Sequence, residues 1–257
     1  MTSEWVSLER RENGPVYFAT TPVSSLVELQ KIISIADQRM AVYADVPNMS
    51  LLFRGQASDS ALVPKLIEGR VDIEKLSSAL KEMLKICKEE IGDLRTNNEV
   101  YFMMRHAGLP SHLIDWSYDW RIALWFALHN SDGSLTKRSS SLWVIRQHIS
   151  DLRCSFFPAD QHTCERSERQ EGWAYAIRFK KREAGVYALP MEQDRKYEKR
   201  LLRIPIDTTA HKSLTLELQQ KDGSLADIMN IPPPLSTEVV RKCHCIFKMK
   251  SGLNTTT

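Results

Sequence analysis

The sequence predicts an α+β fold, with N-terminal helices packed on a strand-rich, mostly antiparallel C-terminal half around one buried central helix. Three observations lead there. Helical periodicity dominates the chain up to about residue 130, two-residue alternation dominates after it, and at the junction stands "WSYDWRIALWFALHN", residues 116 to 130, apolar almost all the way round. With 257 residues and 42% hydrophobic content there is enough apolar matter for a well-buried core. No internal repeat and no clear linker is visible, so the simplest organisation is a single domain over residues 1–257, its core at about 20–240 between short tails.

The elements follow in order. "SSLVELQKIISIADQRM" opens on serine caps and spaces Leu26, Leu29, Ile32 and Ile33 as one helical face. A strand is expected at "SLLFRG". The run "DIEKLSSALKEMLKICKEEIGDL" returns to the helical period through Ile73, Leu76, Leu80, Leu84, Cys87 and Ile91, with a lysine-rich face that needs only solvent. Gly108 and Pro110 stop the next helix, an extended piece carries Ser111, His112 and Asp115, and Ser117 is placed to cap the buried helix. After the loop "SDGSLTKRSSS", strands are expected at "SLWVI" and at "RLLRIPI". Between those two, Trp173, Tyr175, Ile177 and Phe179 alternate with Ala174, Ala176 and Arg178 as in a half-buried strand. A short helix at "HKSLTLELQQKDG" ends at Gly223, Pro232 to Pro234 break the chain, and Ser236 caps a last helical turn. In "CHCIFKM" the alternation reads as a strand, with Cys243, Cys245 and Phe247 on its buried face.

Composition excludes several classes. A formal net charge of +3 is too small to argue for a nucleic-acid binder on charge alone. "MTSEWVSLERREN" has no apolar h-region and no stretch reaches the roughly 18 apolar residues of a membrane span, so a soluble, cytoplasmic protein without membrane association is expected. The five cysteines include no C-x-x-C pair, which fits a reducing compartment. Cys154, His162 and Cys164 have metal-binding side chains, but their spacing matches no usual structural zinc site, and no metal is expected.

The most informative block is "YFMMRHAGLPSHLIDWSYDWRIALWFALHN", residues 101 to 130, where polar groups gather between two apolar walls. Together with Phe53, Arg54 and Gly55 it resembles the FRG domain family, named for its Phe-Arg-Gly signature. The family's histidine, Gly-Leu-Pro, Leu-Leu-Asp-Trp and Ala-Leu-x-Phe-Ala pattern is met by His106, Gly108, Leu109, Pro110, Asp115, Trp116, Ala123, Leu124, Phe126 and Ala127. Arg166, Gln170, Gly172 and Trp173 match a further Arg…Gln-x-Gly feature, whereas His112 stands where the family often has an arginine. The resemblance covers most of the chain and implies a bacterial or phage-related setting, with a toxin or defence role.

The order Arg54, Ser117, then Gln170 and Glu171 is similar to the Arg, Ser, Glu arrangement of ADP-ribosyltransferases. That likeness implies NAD as substrate, a transferase or NAD hydrolase activity, and a protein or nucleic-acid acceptor. The residue types suit the chemistry. Arginine offers a planar fork to phosphate or ribose oxygens, a serine fixes the nicotinamide half, and a carboxylate stabilises the oxocarbenium-like charge as nicotinamide leaves. The expected catalytic residues are Glu171, Gln170 and His106. Arg54, Gly55, Ser117, Asp115 and His112 are expected to bind the dinucleotide, in a cleft between the strand ending at Gly55 and the positive N-terminal end of the buried helix. The competing structural reading pairs Arg54 with Asp115 in the interior and leaves Ser117 a simple cap. A third class, a non-catalytic ligand- or nucleic-acid-binding module, is raised by "RQEGWAYAIRFKKREAGVYALP", where cations interleave with aromatics.

Overall fold

The computed structural model describes residues 8–10, 17–41, 50–64, 70–92, 95–147, 156–158, 172–176, 178–182, 185–197, 200–223, 225, 227 and 234–251. It forms an α+β fold in two compact units. The first comprises Met1–Ala61, Trp116–Phe156 and Met191–Asn230; the second comprises Leu62–Asp115, Phe157–Pro190 and Ile231–Thr257.

The first unit holds strands β1 (Leu8–Arg10), β2 (Tyr17–Ala19), β3 (Leu51–Gln56), β6 (Ser140–Arg146) and β11 (Leu201–Ile206) together with Trp116 and Ser117 of β5 (Leu113–Ser117), in the order β1-β2-β11-β6-β3-β5. Neighbours are antiparallel except β2 and β11, which run parallel. One face carries helices α1 (Leu26–Ala41), α4 (Trp120–Leu128) and α5 (His211–Lys221). The expected apolar stripe of α1 meets this face: Leu26, Leu29 and Ile32 are buried against Phe53, Val144, Leu202 and Ile204. Two serines start α1, since Ser25 Oγ accepts from the Glu28 N–H and the Glu28 carboxylate accepts from the Ser24 N–H and hydroxyl. That hydrogen bonding, the Ser24 backbone first, lowers the Glu28 pKa.

Gly55 fixes how closely α4 approaches β3. A Cβ built on it would lie 1.7 Å from the Ala123 carbonyl oxygen and 2.5 Å from the Ala127 nitrogen, so helix backbone rests directly on strand backbone. The buried central helix is shorter than the sequence suggests. Trp116 and Ser117 belong to β5, and the helix begins only at Trp120, because the Asp119 carboxylate takes the cap by accepting from the Arg121 N–H at 2.8 Å. Ser117 is therefore not the cap. Its Oγ accepts instead from the Asp119 N–H at 3.0 Å, one step earlier.

The second unit contains α2 (Ile73–Ile91), α3 (Asn97–His106) and α6 (Thr237–Ser251). It also holds a small sheet of β4 (Arg70–Val71), β10 (Gly185–Leu189) and β9 (Arg178–Arg182), and, outside that sheet, the strands β8 (Gly172–Ala176) and β7 (Phe156–Pro158). Asp72 caps α2 through the Glu74 and Lys75 N–H groups, and Thr96 and Glu99 form a capping box on α3. Gly108, at φ +77°, turns the chain after α3 in the left-handed region that glycine adopts without strain.

Two further expectations change here. "CHCIFKM" is part of α6, not a strand: Cys243, Phe247 and Ser251 are buried at a spacing of four, while Cys245 is exposed. Apolar residues two apart mimicked a strand, but the helix begun at Ser236 simply continues. Glu90 of α2 anchors that start by accepting from the Ser236 N–H at 2.8 Å and its hydroxyl at 3.0 Å. Across the same α2–α6 seam, the Cys87 and Cys243 sulfurs are 3.8 Å apart, both buried. The single strand expected over 173 to 179 is two strands in different sheets, and in β8 the consecutive Ala174 and Tyr175 are both buried, so neither face lies open as the alternation implied.

Candidate functional site

The first unit holds Arg54, Gly55 and Ser117. Phe53 pairs with Ser117 across β3 and β5, so these two side chains share a sheet face, the one covered by helices. Arg54, the next residue, leaves on the other face. The structure thus brings Gly55 and Ser117 to the helix side and sends Arg54 away from both. Ser117 is 5% exposed, and α4 lies on Gly55 without an intervening space, so the cleft expected between strand and helix is filled there by the helix itself.

On the Arg54 face the register runs Arg54, Trp143, Arg203 across β3, β6 and β11. The Trp143 indole N–H donates to Gln56 Oε1 at 2.8 Å, and the Gln56 amide donates in turn to Ser60 Oγ at 2.7 Å and to the Ser60 carbonyl at 3.0 Å. Arg203 donates from Nε to Ser141 Oγ at 2.8 Å, lies 5.6 Å from the Trp143 ring centroid and pairs with Asp59. Sequence reasoning missed Gln56, Trp143 and Arg203. The signal was there, since Trp143 in "SLWVI" and Arg203 in "LLRIPI" are the odd members between core residues of an alternating strand.

The second unit gathers His106, His112 and Asp115 around the end of α3. Arg105 Nε donates to Asp115 Oδ2 at 3.1 Å, with the two side chains 36% and 28% exposed. Arg105 was not read as a partner from the sequence. It lies in the last turn of α3, within reach of a β5 carboxylate only because the Gly108 turn doubles the chain back. The Tyr101 ring meets His112 edge to face at 4.8 Å, and Phe102 stacks on His106 at 6.1 Å. Burial pushes the His112 pKa down to about 4 and that of Tyr101 up, so His112 is a neutral imidazole at pH 7. Beneath them Phe102, Leu113 and Ala174 form a small apolar cluster. Gln170 and Glu171 lie outside the described residues, as do Cys154, His162 and Cys164; the strand after Glu171 begins at Gly172.

No group of three His, Cys, Asp or Glu among the described residues is placed to hold a metal ion, and no helix among them is long and apolar enough to cross a membrane. Neither a curated protein nor a solved structure matches the chain. The family model of the FRG domain matches residues 49–135, a span that includes Phe53, Arg54 and Gly55, the polar group from Arg105 to Asp115, and all of α4. The chain therefore carries an FRG domain over residues 49–135.

Proposed function

We propose that this protein uses NAD as a substrate, cleaving its nicotinamide-ribose bond and passing ADP-ribose to water or to a protein or nucleic-acid acceptor. One observation carries the reading: in the second unit, the Asp115 carboxylate, oriented by Arg105, and the neutral imidazole of His112 both stand at the end of α3 and the start of β5. As the bond to nicotinamide breaks, its electron pair leaves with the base and positive charge develops on the ribose. A fixed carboxylate stabilises that charge, the neutral His112 imidazole offers the dinucleotide a hydrogen bond, and His106 takes the proton from the attacking water or acceptor. His106 orients the acceptor. Gln170 and Glu171, outside the described residues, have the residue types for a second carboxylate with an amide neighbour. A toxin or defence role follows from such an activity, since draining NAD or modifying an essential acceptor disables a cell.

The test is incubation of the purified chain with NAD and chromatography of the products. Free nicotinamide is expected, with ADP-ribose free for a hydrolase or attached to an acceptor for a transferase. Glu171→Gln and Asp115→Asn should each slow release by on the order of 100-fold while NAD still binds. Absence of nicotinamide release under all acceptor conditions refutes the reading.

A second reading, a non-catalytic nucleic-acid module, is favoured by a groove of about 510 Å³ on α2 lined by Lys81, Leu84, Lys85, Lys88, Glu89 and Gly92. Three lysines on one helical face offer a track for a phosphate backbone. Salt-dependent retardation of single-stranded RNA or DNA by a protein that leaves NAD intact is the outcome this alternative requires.

A further inference from the structure

We propose that Cys87 and Cys243 form a thiol–disulfide latch, which fastens α6 to α2 when a low-molecular-weight disulfide such as oxidised glutathione accumulates. The pair lies wholly within the second unit and does not rest on NAD cleavage.

The seam between the helices places the two sulfurs. Cys87 belongs to the apolar stripe of α2 with Leu76, Leu80 and Met83, and Cys243 to the buried side of α6 with Phe247, so docking the two stripes sets thiol against thiol. They stand 3.8 Å apart although 156 positions separate them in the chain. A disulfide needs ~2.05 Å, so about 1.8 Å must close, which is within the swing of a cysteine side chain about χ1. Their hydrogen bond lowers the pKa of Cys243 and raises that of Cys87, and Cys243 therefore supplies the attacking thiolate. Cys245 cannot join the pair: it is exposed, two residues on and about 200° round the helix.

The exchange balances without any further reactant. Cys243 attacks one sulfur of oxidised glutathione and expels a glutathione thiolate; Cys87 then gives up its proton, attacks the Cys243 sulfur of the mixed disulfide and expels the second. Two protein thiols are oxidised, and one small disulfide is reduced to two thiols. Burial makes the pair a latch. Both side chains are fully buried, so an oxidant meets them only when α6 lifts from α2. The polar ties across the seam permit that opening, because the Glu90–Ser236 hydrogen bonds and the Glu82–Lys250 ion pair lie toward the two ends of α6 in solvent, where such contacts are weak. Once made, the bond holds α6 down and shields itself from reductant. In a reducing compartment the thiols persist, and only sustained oxidation closes the latch.

The test uses the full chain carrying Cys245→Ser, which removes the exposed thiol of α6. It is equilibrated in glutathione buffers from fully reduced to fully oxidised, alkylated, and mapped without reductant. A link between the Cys87 and Cys243 peptides is expected in the oxidised buffers and its loss on treatment with dithiothreitol. Closing so long a loop is expected to raise Tm by about 10 °C, and tryptic cleavage at Lys242 and Lys248 of α6 is expected to slow by at least about tenfold. Both readings compare oxidised and reduced forms of one chain, so they stand whether or not a variant folds; Cys243→Ala is expected to abolish the link and both shifts. No link after prolonged oxidation overturns the proposal. So does a glutathione adduct that stops on Cys87 or Cys243 without resolving, or a link that leaves Tm and cleavage unchanged or moves them the other way. NAD cleavage is read out separately, so either idea can fail alone.

Discussion

Replacing Gly55 by alanine should cost this protein much of its stability for a purely steric reason. The new methyl carbon would begin 1.7 Å from the Ala123 carbonyl oxygen, 2.5 Å from the Ala127 nitrogen and 2.9 Å from the Ala123 carbonyl carbon. All three are helix backbone, so no rotamer change relieves the clash. Ordinary contact starts near 3.4 Å, which means α4 must lift off β3 by about the whole initial separation again. Ala123, Leu124, Ala127 and Leu128 would lose their close packing on the sheet. Overpacking a core costs ~1–3 kcal/mol when side chains can yield, and here the obstacle is main chain, so about 3–5 kcal/mol is expected. For a chain of this size that is a fall in Tm of roughly 6–20 °C, to be read from thermal melts by circular dichroism. Gly55 does not adopt a positive φ, so backbone conformation contributes nothing to the loss. Gly133→Ala is the natural control: at φ +79° with nothing within 4 Å, it should cost only about 1 kcal/mol through its backbone. A Gly55→Ala protein melting within a degree or two of wild type would refute the packing argument.

Two other outcomes follow from the second unit. The pKa of His112, about 4 in the fold against the ordinary histidine value of 6.5, means the unfolded chain binds the extra proton first. Its contribution is thus complete above pH 6.5 and is lost as pH falls toward 4, by at most about 3 kcal/mol, and His112→Gln should flatten that part of the stability profile as measured by denaturant titration at each pH. Cys87 and Cys243, at 3.8 Å, should join on treatment with hydrogen peroxide, two thiols giving up two hydrogens to leave a disulfide and water. Their shared hydrogen bond, with burial, raises the Cys87 thiol, so the reaction should be slow and limited by opening of α6. Peptide mapping without reductant should show the link in wild type and lose it in Cys87→Ser; two thiols still open to alkylation after prolonged oxidation would contradict the geometry.

What the sequence made legible was what periodicity controls. Leu26, Leu29 and Ile32 announced α1 by spacing alone, and Leu76, Leu80 and Cys87 did the same for α2. Two failures came where a short apolar run satisfies two periods at once. "CHCIFKM" alternates like a strand, yet its buried members are four apart, and only the cap at Ser236 discriminates. "WSYDW" reads as helix because everything around it is apolar, although Asp119, a stronger cap than Ser117 in this setting, marks the true start. For the candidate site, residue types were legible and partners were not. The Arg105 to Asp115 pair needs the turn at Gly108, and the meeting of Gln56, Trp143 and Arg203 needs a strand register that local sequence does not encode.

The alternation of β3 has a consequence for reading variants of this domain. Phe53 and Gly55 face the helices, while Arg54 and Gln56 lie half-buried on the opposite face beside the buried Trp143, so four adjacent letters answer to two different neighbourhoods. Variants at the odd-numbered positions should disturb the seating of α4 on β3, whereas variants at the even-numbered positions should leave that seating intact and act instead through the hydrogen bonds of the opposite face. A chain that keeps the phenylalanine and glycine but not the arginine would then still be seated correctly on its helix, and its sequence likeness would report inheritance of a scaffold rather than of a ligand.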